Sequence, residues 1–182
     1  MKSTFPFAFK RGAAALAAAS VAVCALLPAG GVVWAAETTT AESSDTFDDG
    51  TLTYKKLSNT TVSVTDCVES ATHISIMPKI DGYDIVSIGE EAFANCTSLQ
   101  SVTIPASVTE IGSAAFYGCT ALTKVTVPDA VTKIEQGTFF SCTALTDLTL
   151  GKDTTEIGDM AFGYCTSLET VNLLIFCIFS RD

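Results

Sequence analysis

Residues 88–133 read IGEEAFANCTSLQSVTIPASVTE and then IGSAAFYGCTALTKVTVPDAVTK, so one 23-residue pattern occurs twice in succession. The two copies agree at 12 of 23 aligned places, and the shared residues are apolar, small or turn-forming. A spacing of 23 continues toward the end of the chain in three columns of identical residues: Phe93, Phe116, Phe139 and Phe162; Cys96, Cys119, Cys142 and Cys165; and Leu99, Leu122, Leu145 and Leu168. A fixed period of about 20 to 29 residues is typical of a solenoid, in which each copy forms one coil.

One half of each copy predicts a short β-strand. It contains L-x-x-V-x-I-P or a close variant, beginning at Leu99, Leu122, Leu145 and Leu168. The alternation of apolar and polar residues in V-x-I indicates a strand with one buried face. Strands of about five residues are unstable singly, but stacking in register at about 4.8 Å pairs them into a parallel sheet.

The other half of each copy, I-G-x-x-A-F-x-x-C, predicts the return to the next strand. Its Phe precedes Cys by three residues and Leu by six, a spacing that suits a short helical or 3₁₀ turn. We therefore predict a solenoid of the α/β type, with short parallel strands and short helical or 3₁₀ returns. Each coil is expected to bury its Ile, Phe, Cys, Leu, Val and Ile side chains together.

The run I-G-x-x-A-F-x-x-C-x-x-L-x-x-V-x-I-P-x-x-V-x-x resembles the leucine-rich repeat of the BspA type, found in bacterial surface proteins and some mucosal parasites. Residues 49–83 resemble the non-repeating start of such domains, so the resemblance covers about residues 49–173. It implies a leucine-rich repeat solenoid with an N-terminal β cap. A solenoid needs such a cap, because its first coil would otherwise expose its core.

Two departures from the repeat pattern predict less regular coils. Glu135 stands where the other copies have Gly, and Gly151 and Leu174 replace the prolines that end the earlier strands. We therefore expect irregularity in the third coil and at the last edge.

The amino end has the character of a secretory signal peptide. Lys2, Lys10 and Arg11 precede the apolar stretch 12–29, and small residues at Ala35 and Ala36 offer a cleavage site. A retained membrane anchor is the alternative, although the Ala and Gly content makes the stretch a weak span. We predict a secreted or cell-surface protein that uses the Sec signal.

Five segments follow from these patterns. They are a signal peptide at 1–36, an acidic Ser/Thr-rich linker at 37–50, an N-terminal β cap at 51–87, four leucine-rich repeats at 88–174 and an atypical apolar tail at 175–182. Residues 173–179 form a continuous apolar run that is too short to span a bilayer. A truncated reading frame and a tail folded over the open core are the two explanations we retain.

The charge of the chain excludes two classes of partner. Removing the leader takes three of the 10 basic residues and none of the 20 acidic ones, so the mature net charge is 7 − 20 = −13. A nucleic-acid binder requires a basic contact face. Anionic lipid would also repel this surface. We therefore expect no nucleic-acid partner and no membrane insertion of the mature chain.

Seven cysteines in an exported protein would ordinarily indicate a disulfide framework, but the 23-residue period favours another interpretation. Four of them fall at the same inward point of successive coils, where Cys acts as a small hydrophobe. A ladder of buried reduced thiols is the favoured interpretation, and disulfides between coils are the alternative. No C-x-x-C pair or His cluster indicates a metal site. Cys67 and Cys177 lie outside the ladder, with no predicted partner.

No catalytic or cofactor motif is present. His73 is the only histidine, and we expect it at a strand edge in the cap. The acidic stretch starting at Asp45 fails as a calcium loop because Lys56 occupies the position of the bidentate Glu. We predict no enzymatic activity, no catalytic residues, no cofactor and no metal. A secreted hydrolase that uses acidic residues is the alternative.

The outward positions of the predicted strands form a candidate ligand-binding face. If Leu, Val and Ile point inward, the residues between them form two columns. These are Ser101, Lys124, Asp147 and Thr170 in the first, and Thr103, Thr126, Thr149 and Asn172 in the second. The first column varies on a constant scaffold, as a binding face would. The alternative is that all eight are solvated strand residues with high β-propensity.

The resemblance implies a protein ligand, because similar BspA-type proteins are associated with adhesion to host extracellular matrix proteins and with co-aggregation between cells. The alternative is a structural module of a larger surface protein with no ligand of its own. A concave face of four or five strands projects about 300 Å², whereas a stable interface takes about 800 Å² from each partner. Monovalent binding is therefore expected to be weak.

Overall fold

The structure, a computed structural model, describes residues 45–173, and within them it contains β-strands and turns without a helix. The predicted signal peptide, most of the acidic linker and the apolar tail lie outside the described residues. The strands, in chain order, are β1 (Thr46–Asp48), β2 (Leu52–Lys56), β3 (Thr61–Cys67), β4 (His73–Ser75), β5 (Lys79–Ile80), β6 (Tyr83–Ile88), β7 (Ser101–Thr103), β8 (Glu110–Ile111), β9 (Lys124–Thr126), β10 (Lys133–Ile134), β11 (Asp147–Leu150), β12 (Glu156–Ile157) and β13 (Thr170–Leu173).

Five strands form a parallel sheet with the order β13-β11-β9-β7-β4, which we call the repeat sheet. Residues 23 positions apart are partners in this sheet, as in Lys124 with Asp147 and Asp147 with Thr170. The predicted solenoid of stacked parallel strands is thus confirmed. The repeat sheet also contains β4, which precedes the first of the four copies.

A second set of strands runs along another side of the coils. The V-x-x-I segments at 108–111 and 131–134 and the corresponding T-x-x-I segment at 154–157 end in the two-residue strands β8, β10 and β12. Strand β8 pairs with β6 and β10 pairs with β12, both in parallel. Ile111 and Ile134 on these strands are fully buried. Each coil therefore closes its core between the repeat sheet, the return and this second strand.

The phenylalanine column forms a continuous stack through the core. Ring centroids are 5.0 Å apart for Phe93 and Phe116, 5.4 Å for Phe116 and Phe139, and 5.8 Å for Phe139 and Phe162. The first three rings are completely buried, whereas Phe162 is only partly buried. In the last described coil Ile157 is 53% exposed, because no further described coil covers it.

The returns are built from turns, so the predicted helical or 3₁₀ conformation is wrong in this detail. Two positions of each return have a positive φ, and both repeat every 23 residues: Glu91, Ala114, Gly137 and Met160, and Asn95, Gly118, Ser141 and Tyr164. A left-handed residue at every fourth position interrupts a right-handed helix. The freed N–H groups bond to the next coil, as in Phe93 N to Ala115 O at 2.8 Å.

The irregularity expected at the third coil occurs in the second set of strands. Among the described strands, β8 pairs with β6 and β10 pairs with β12, but β8 and β10 are not paired with each other. The return of the third coil continues the hydrogen bonds of its neighbours, for example from Gly137 N to Asp159 O at 3.0 Å. Gly151 has a structural reason. Its backbone passes so close to the preceding coil that an added Cβ would lie 2.7 Å from Asp129 Cα, closer than real Cβ atoms approach.

Two threonines replace apolar residues inside the coils, and the hydroxyl group of each has a hydrogen-bond partner. Thr138 Oγ1 donates to Glu135 O at 2.8 Å, and Thr154 Oγ1 donates to Val131 O at 2.8 Å. Within the part of the chain that the structure describes, every buried side-chain nitrogen and oxygen has a hydrogen-bond partner. The core of residues 45–173 therefore carries no uncompensated polar side chain.

The cysteine ladder occupies the inward positions predicted for it. Cys119, Cys142 and Cys165 each donate through Sγ to the carbonyl oxygen of the Phe in the preceding coil, at 3.0, 3.1 and 3.0 Å. Burial, followed by the neighbouring thiols Cys119 and Cys165, raises the pKa of Cys142. Because the thiolate is the reactive form, this ladder position is chemically protected.

The cap is a sheet with the order β1-β2-β3-β6-β5, in which β2 and β3 are antiparallel and β3 and β6 are parallel. Its parallel edge continues into the second set of strands through β8. The cap contacts the first return by a hydrogen bond from Gly89 N to Val64 O at 2.7 Å. Phe93 is fully buried, as it would not be at an uncovered end.

Asp49 fixes the turn that leads into β2. Its Oδ1 accepts the N–H groups of Thr51 and Leu52 at 2.9 and 2.8 Å, and its Oδ2 accepts the hydroxyl of Tyr54 at 2.7 Å. Partial burial by itself raises the pKa of Asp49. The hydrogen bonds from Leu52 N, Tyr54 and Thr51 N outweigh it, so the net pKa lies below the usual 3.8.

This lowered pKa predicts an acid-sensitive cap. A group with a depressed pKa in the folded state stabilises the fold above its unfolded pKa, and this stabilisation is lost as the pH falls through the folded value. Urea unfolding at pH 6 and pH 3 should show a larger loss of stability in the wild type than in Asp49→Asn. Equal losses in the two proteins would show that Asp49 is not part of the acid response.

Candidate ligand-binding face

The repeat sheet presents two columns of outward side chains over a closed core. Between them lie inward residues such as Val125 and Leu148, which are fully buried. The backbone pairing places His73, Ser101, Lys124, Asp147 and Thr170 in one line, which we call the variable column. The neighbouring line, the hydroxyl column, contains Ser75, Thr103, Thr126, Thr149 and Asn172.

All eight residues predicted for this face occupy these two columns. In the variable column Lys124 and Thr170 are exposed, and Ser101 and Asp147 are partly exposed. In the hydroxyl column Thr103 and Thr126 are exposed and Thr149 is partly exposed. Asn172 pairs with Thr149 through the backbone of β13, and its side chain lies outside the described part of the structure.

His73 and Ser75 are members of the face that the sequence analysis missed. Both lie on β4, in register with Ser101 and Thr103. The spacing from His73 to Ser101 is 28 residues, so a search at a period of 23 does not reach them. The available signal was the strand-like alternation His73-Ile74-Ser75-Ile76, followed shortly by a proline as in the later copies.

Two pairs of neighbouring residues in the variable column are in contact. His73 Nδ1 lies 2.8 Å from Ser101 Oγ, within hydrogen-bond distance. Lys124 Nζ donates to Asp147 Oδ2 at 2.6 Å. The side chains of this ion pair are 61% and 41% exposed, so it contributes at most about 1 kcal/mol to folding. Because the pair adds little to stability, its charges remain available to a ligand.

A second ion pair of the same kind lies outside the two columns. Lys152 Nζ donates to Asp129 Oδ2 at 2.8 Å, between residues that are also 23 positions apart, and both side chains are exposed. The hydrogen bond from Lys152 lowers the pKa of Asp129. This pair lies in the connections after β9 and β11, so it is a natural comparison for the pair on the sheet.

The His73 and Ser101 contact lacks the third member of a catalytic triad among the described residues. In a catalytic triad the histidine takes the serine proton while a buried carboxylate orients its second nitrogen. Among the described residues, no carboxylate is hydrogen-bonded to the His73 ring. Both residues also lie on an open sheet face, which lacks the shielding from water that strengthens oxyanion stabilisation.

Two further observations describe the same part of the chain. In residues 45–173, no three His, Cys, Asp or Glu side chains cluster closely enough to hold a metal ion. Over that range the structure also has no helix with the length and apolar character of a membrane span.

Comparison with known proteins gives consistent matches. The family model for the BspA type leucine rich repeat region matches residues 66–177 in six copies. A leucine-rich repeat protein from Bacteroides capillosus is 30% identical, with a TM-score of 0.64 over 71% of this chain and 98% of that one. No curated protein sequence matches the chain.

Two longer structures are also similar. A leucine-rich repeat protein from Bacteroides ovatus is 33% identical, with a TM-score of 0.58 over 70% of this chain and 41% of that one. A leucine rich cell surface protein from Faecalibacterium prausnitzii is 30% identical, with a TM-score of 0.57 over 71% of this chain and 43% of that one. This chain thus spans less than half the length of either.

Proposed function

Because the chain belongs to the family of proteins with BspA-type leucine-rich repeats, we propose that it is an exported, non-catalytic module for protein recognition at the bacterial cell surface. The leader predicted over residues 1–36 supports export. The cell-surface description of the Faecalibacterium prausnitzii relative supports the location. Proteins of this family are generally non-catalytic, which agrees with the absence of catalytic motifs in the sequence.

The observation that carries the proposal is the variable column. Its five members comprise an imidazole, an ammonium group, a carboxylate and two hydroxyls, from His73, Lys124, Asp147, Ser101 and Thr170. The strands beneath them repeat nearly unchanged, and the inward residues of the interior strands are buried. Side chains held at fixed spacing on a rigid sheet lose little freedom on binding, which favours recognition.

The column suggests a ligand with paired polar groups. Lys124 and Asp147 offer a donor and an acceptor of opposite charge on adjacent strands, about 4.8 Å apart. The hydroxyls of Thr103, Thr126 and Thr149 line the adjacent column. A protein surface with a complementary ion pair and backbone amides would satisfy these groups together. We propose such a protein as the ligand, either in the host extracellular matrix or on another cell.

The area of the face limits the affinity of one copy. Five strands at about 4.8 Å and three or four residues each project roughly 250 Å², well below the approximately 800 Å² that each partner contributes to a stable complex. Useful adhesion would therefore require several copies acting together at a surface. Multivalent display can raise apparent affinity by about 10² to 10⁴ without any new contact.

The test compares two ion pairs of matched geometry. Full-length protein is immobilised at high density and exposed to fibronectin, fibrinogen and bacterial cells. The double variant Lys124→Ser, Asp147→Ser is expected to bind any captured component about tenfold more weakly or worse, a loss of about 1.4 kcal/mol. The control variant Asp129→Ser, Lys152→Ser should bind as the wild type does.

Both double variants are expected to keep melting temperatures close to that of the wild type, since each removes only exposed contacts. The control variant also removes the contact of Lys152 with Asp153 at 3.6 Å and the hydrogen bond from Lys152 N to Asp129 Oδ1 at 3.1 Å. Equal capture by the Lys124 and Asp147 double variant would exclude the variable column as the site. If the wild type captures none of the three probes, the alternative of a structural module without a ligand of its own is favoured.

A further inference from the structure

The cap and the first coil each place a cysteine at their junction. Cys67 is the last residue of β3 in the cap, and Cys96 belongs to the first return. The Sγ atoms of these two residues are 3.0 Å apart. Both residues are buried, with 8% and 0% of their surface exposed. The contact joins the non-repeating part of the domain to its first repeat.

Cys96 differs from the three later members of the ladder. Each of those donates its thiol to the carbonyl oxygen of the Phe in the coil before it. The coil before Cys96 is replaced by the cap, which supplies no equivalent Phe in the 23-residue register. Cys67 Sγ instead lies against Cys96 Sγ. The first step of the ladder is therefore a sulfur–sulfur contact.

The separation of these sulfur atoms is short for a nonbonded contact. Nonbonded heavy atoms reach their optimal attraction at about 3.5 to 4.0 Å. A disulfide bond brings the sulfur atoms to about 2.05 Å. Closing the remaining distance of roughly 1 Å requires only small side-chain adjustment in a contact already buried on both sides. Cys67 Sγ also lies 3.4 Å from Val68 O, but its contact with Cys96 Sγ at 3.0 Å is the shorter of the two. The later ladder thiols instead make their short contacts to Phe carbonyl oxygens.

We propose that Cys67 and Cys96 form a disulfide bond that staples the cap to the first coil after export. The two thiols lose two protons and two electrons as the Sγ–Sγ bond forms. A disulfide donor, such as oxidised glutathione or a thiol oxidoreductase, accepts the electrons and is reduced to two thiols. Cys67, the more exposed of the two, first exchanges with the donor. The Cys96 thiolate then attacks the Cys67 sulfur of the mixed disulfide and releases the second donor thiol.

The disulfide would stabilise one end of the variable column through the strands that follow the two cysteines. Cys67 precedes His73 by six residues and Cys96 precedes Ser101 by five. The segments between them are already paired, since Gln100 N donates to Thr72 O at 2.7 Å. A covalent bond at their origin would hold β4 against β7, and with it the contact between His73 and Ser101.

The experiment uses the full chain with Cys24 and Cys177 replaced by Ser, so that no cysteine outside the described residues interferes. The reduced protein is incubated with oxidised glutathione, alkylated, and digested with trypsin and a Glu-specific protease. The expected product links the peptide 57–69, which contains Cys67, to the peptide 92–110, which contains Cys96. Both thiols remaining alkylatable, or Cys96 linked to another cysteine, would overturn the proposal.

The stapling itself is tested by thermal unfolding. A bond that encloses about 30 residues is expected to raise the midpoint by about 10 °C over the reduced protein. Cys67→Ser should abolish this oxidation-dependent increase, whereas the ladder variant Cys142→Ala should retain it. A bond that forms without raising the midpoint would contradict the staple. The disulfide rests on the proposed function only in that export would bring the chain to an oxidising environment. The unfolding experiment tests the disulfide whether or not the variable column binds a ligand.

Discussion

Replacing Phe116 or Phe139 with Ala is expected to lower the free energy of unfolding by about 3 to 5 kcal/mol. Each ring is fully buried and stacked between two others, at centroid distances of 5.0 to 5.8 Å. The coils above and below are tied by backbone hydrogen bonds, so they cannot close over the cavity. Urea unfolding of each variant measures the loss.

Two controls separate the stack from a general effect of losing an aromatic ring. Phe140 is adjacent to Phe139 but points outward, partly buried against Tyr117 at 5.2 Å, so Phe140→Ala should cost only about 1 kcal/mol. Phe162 is partly buried in the last described coil and should also cost less than the interior pair. Losses below about 1 kcal/mol at Phe116 and Phe139 would be inconsistent with the stacked core.

The second large effect is expected for Gly112→Ala, with a loss of about 1 to 3 kcal/mol from overpacking. An added Cβ would lie 2.6 Å from Glu90 N and 2.8 Å from Gly89 C. Both atoms belong to the backbone of the neighbouring coil, so the clash cannot be relieved by a side-chain rotation. The spacing between coils would have to increase, and chemical denaturation would report the cost.

The third coil provides the matched control, because Glu135 occupies the position equivalent to Gly112. Its side chain forms an exposed ion pair with Lys133 at 3.0 Å. Glu135→Ala should therefore change stability by less than about 1 kcal/mol. Equal effects of the two substitutions would show that close backbone approach is not what requires Gly112.

The variable column and the proposed disulfide both depend on the junction between the cap and the first coil. The variable column begins with His73 on β4, which is joined to the first repeat strand by backbone pairing, by the contact with Ser101 and by the buried side chain of Ile74. An edge strand of three residues is a weak element by itself. A covalent link at Cys67 and Cys96 would secure this end of the face, and multivalent binding would benefit from identical, rigid copies.

The repeating parts of this protein can be predicted from the amino-acid sequence alone. In a solenoid, residue i lies against residue i + 23, so one period in the sequence predicts both strand pairing and the composition of the core. The stacked Phe93, Phe116, Phe139 and Phe162, the inward cysteines and the two outward columns follow from that rule. Each follows from the sequence alone, because the relevant contact recurs in every coil.

The non-repeating features of this protein depend on its tertiary structure. The inclusion of β4, at a spacing of 28, and the contact between Cys67 and Cys96 depend on how the cap meets the first coil. The returns are not helical, because every second N–H group donates to a carbonyl oxygen of the next coil. The spacing of residues within one return does not reveal these hydrogen bonds between coils. Contacts made only once leave no periodic signal, and local patterns cannot show which competing hydrogen-bond partner prevails.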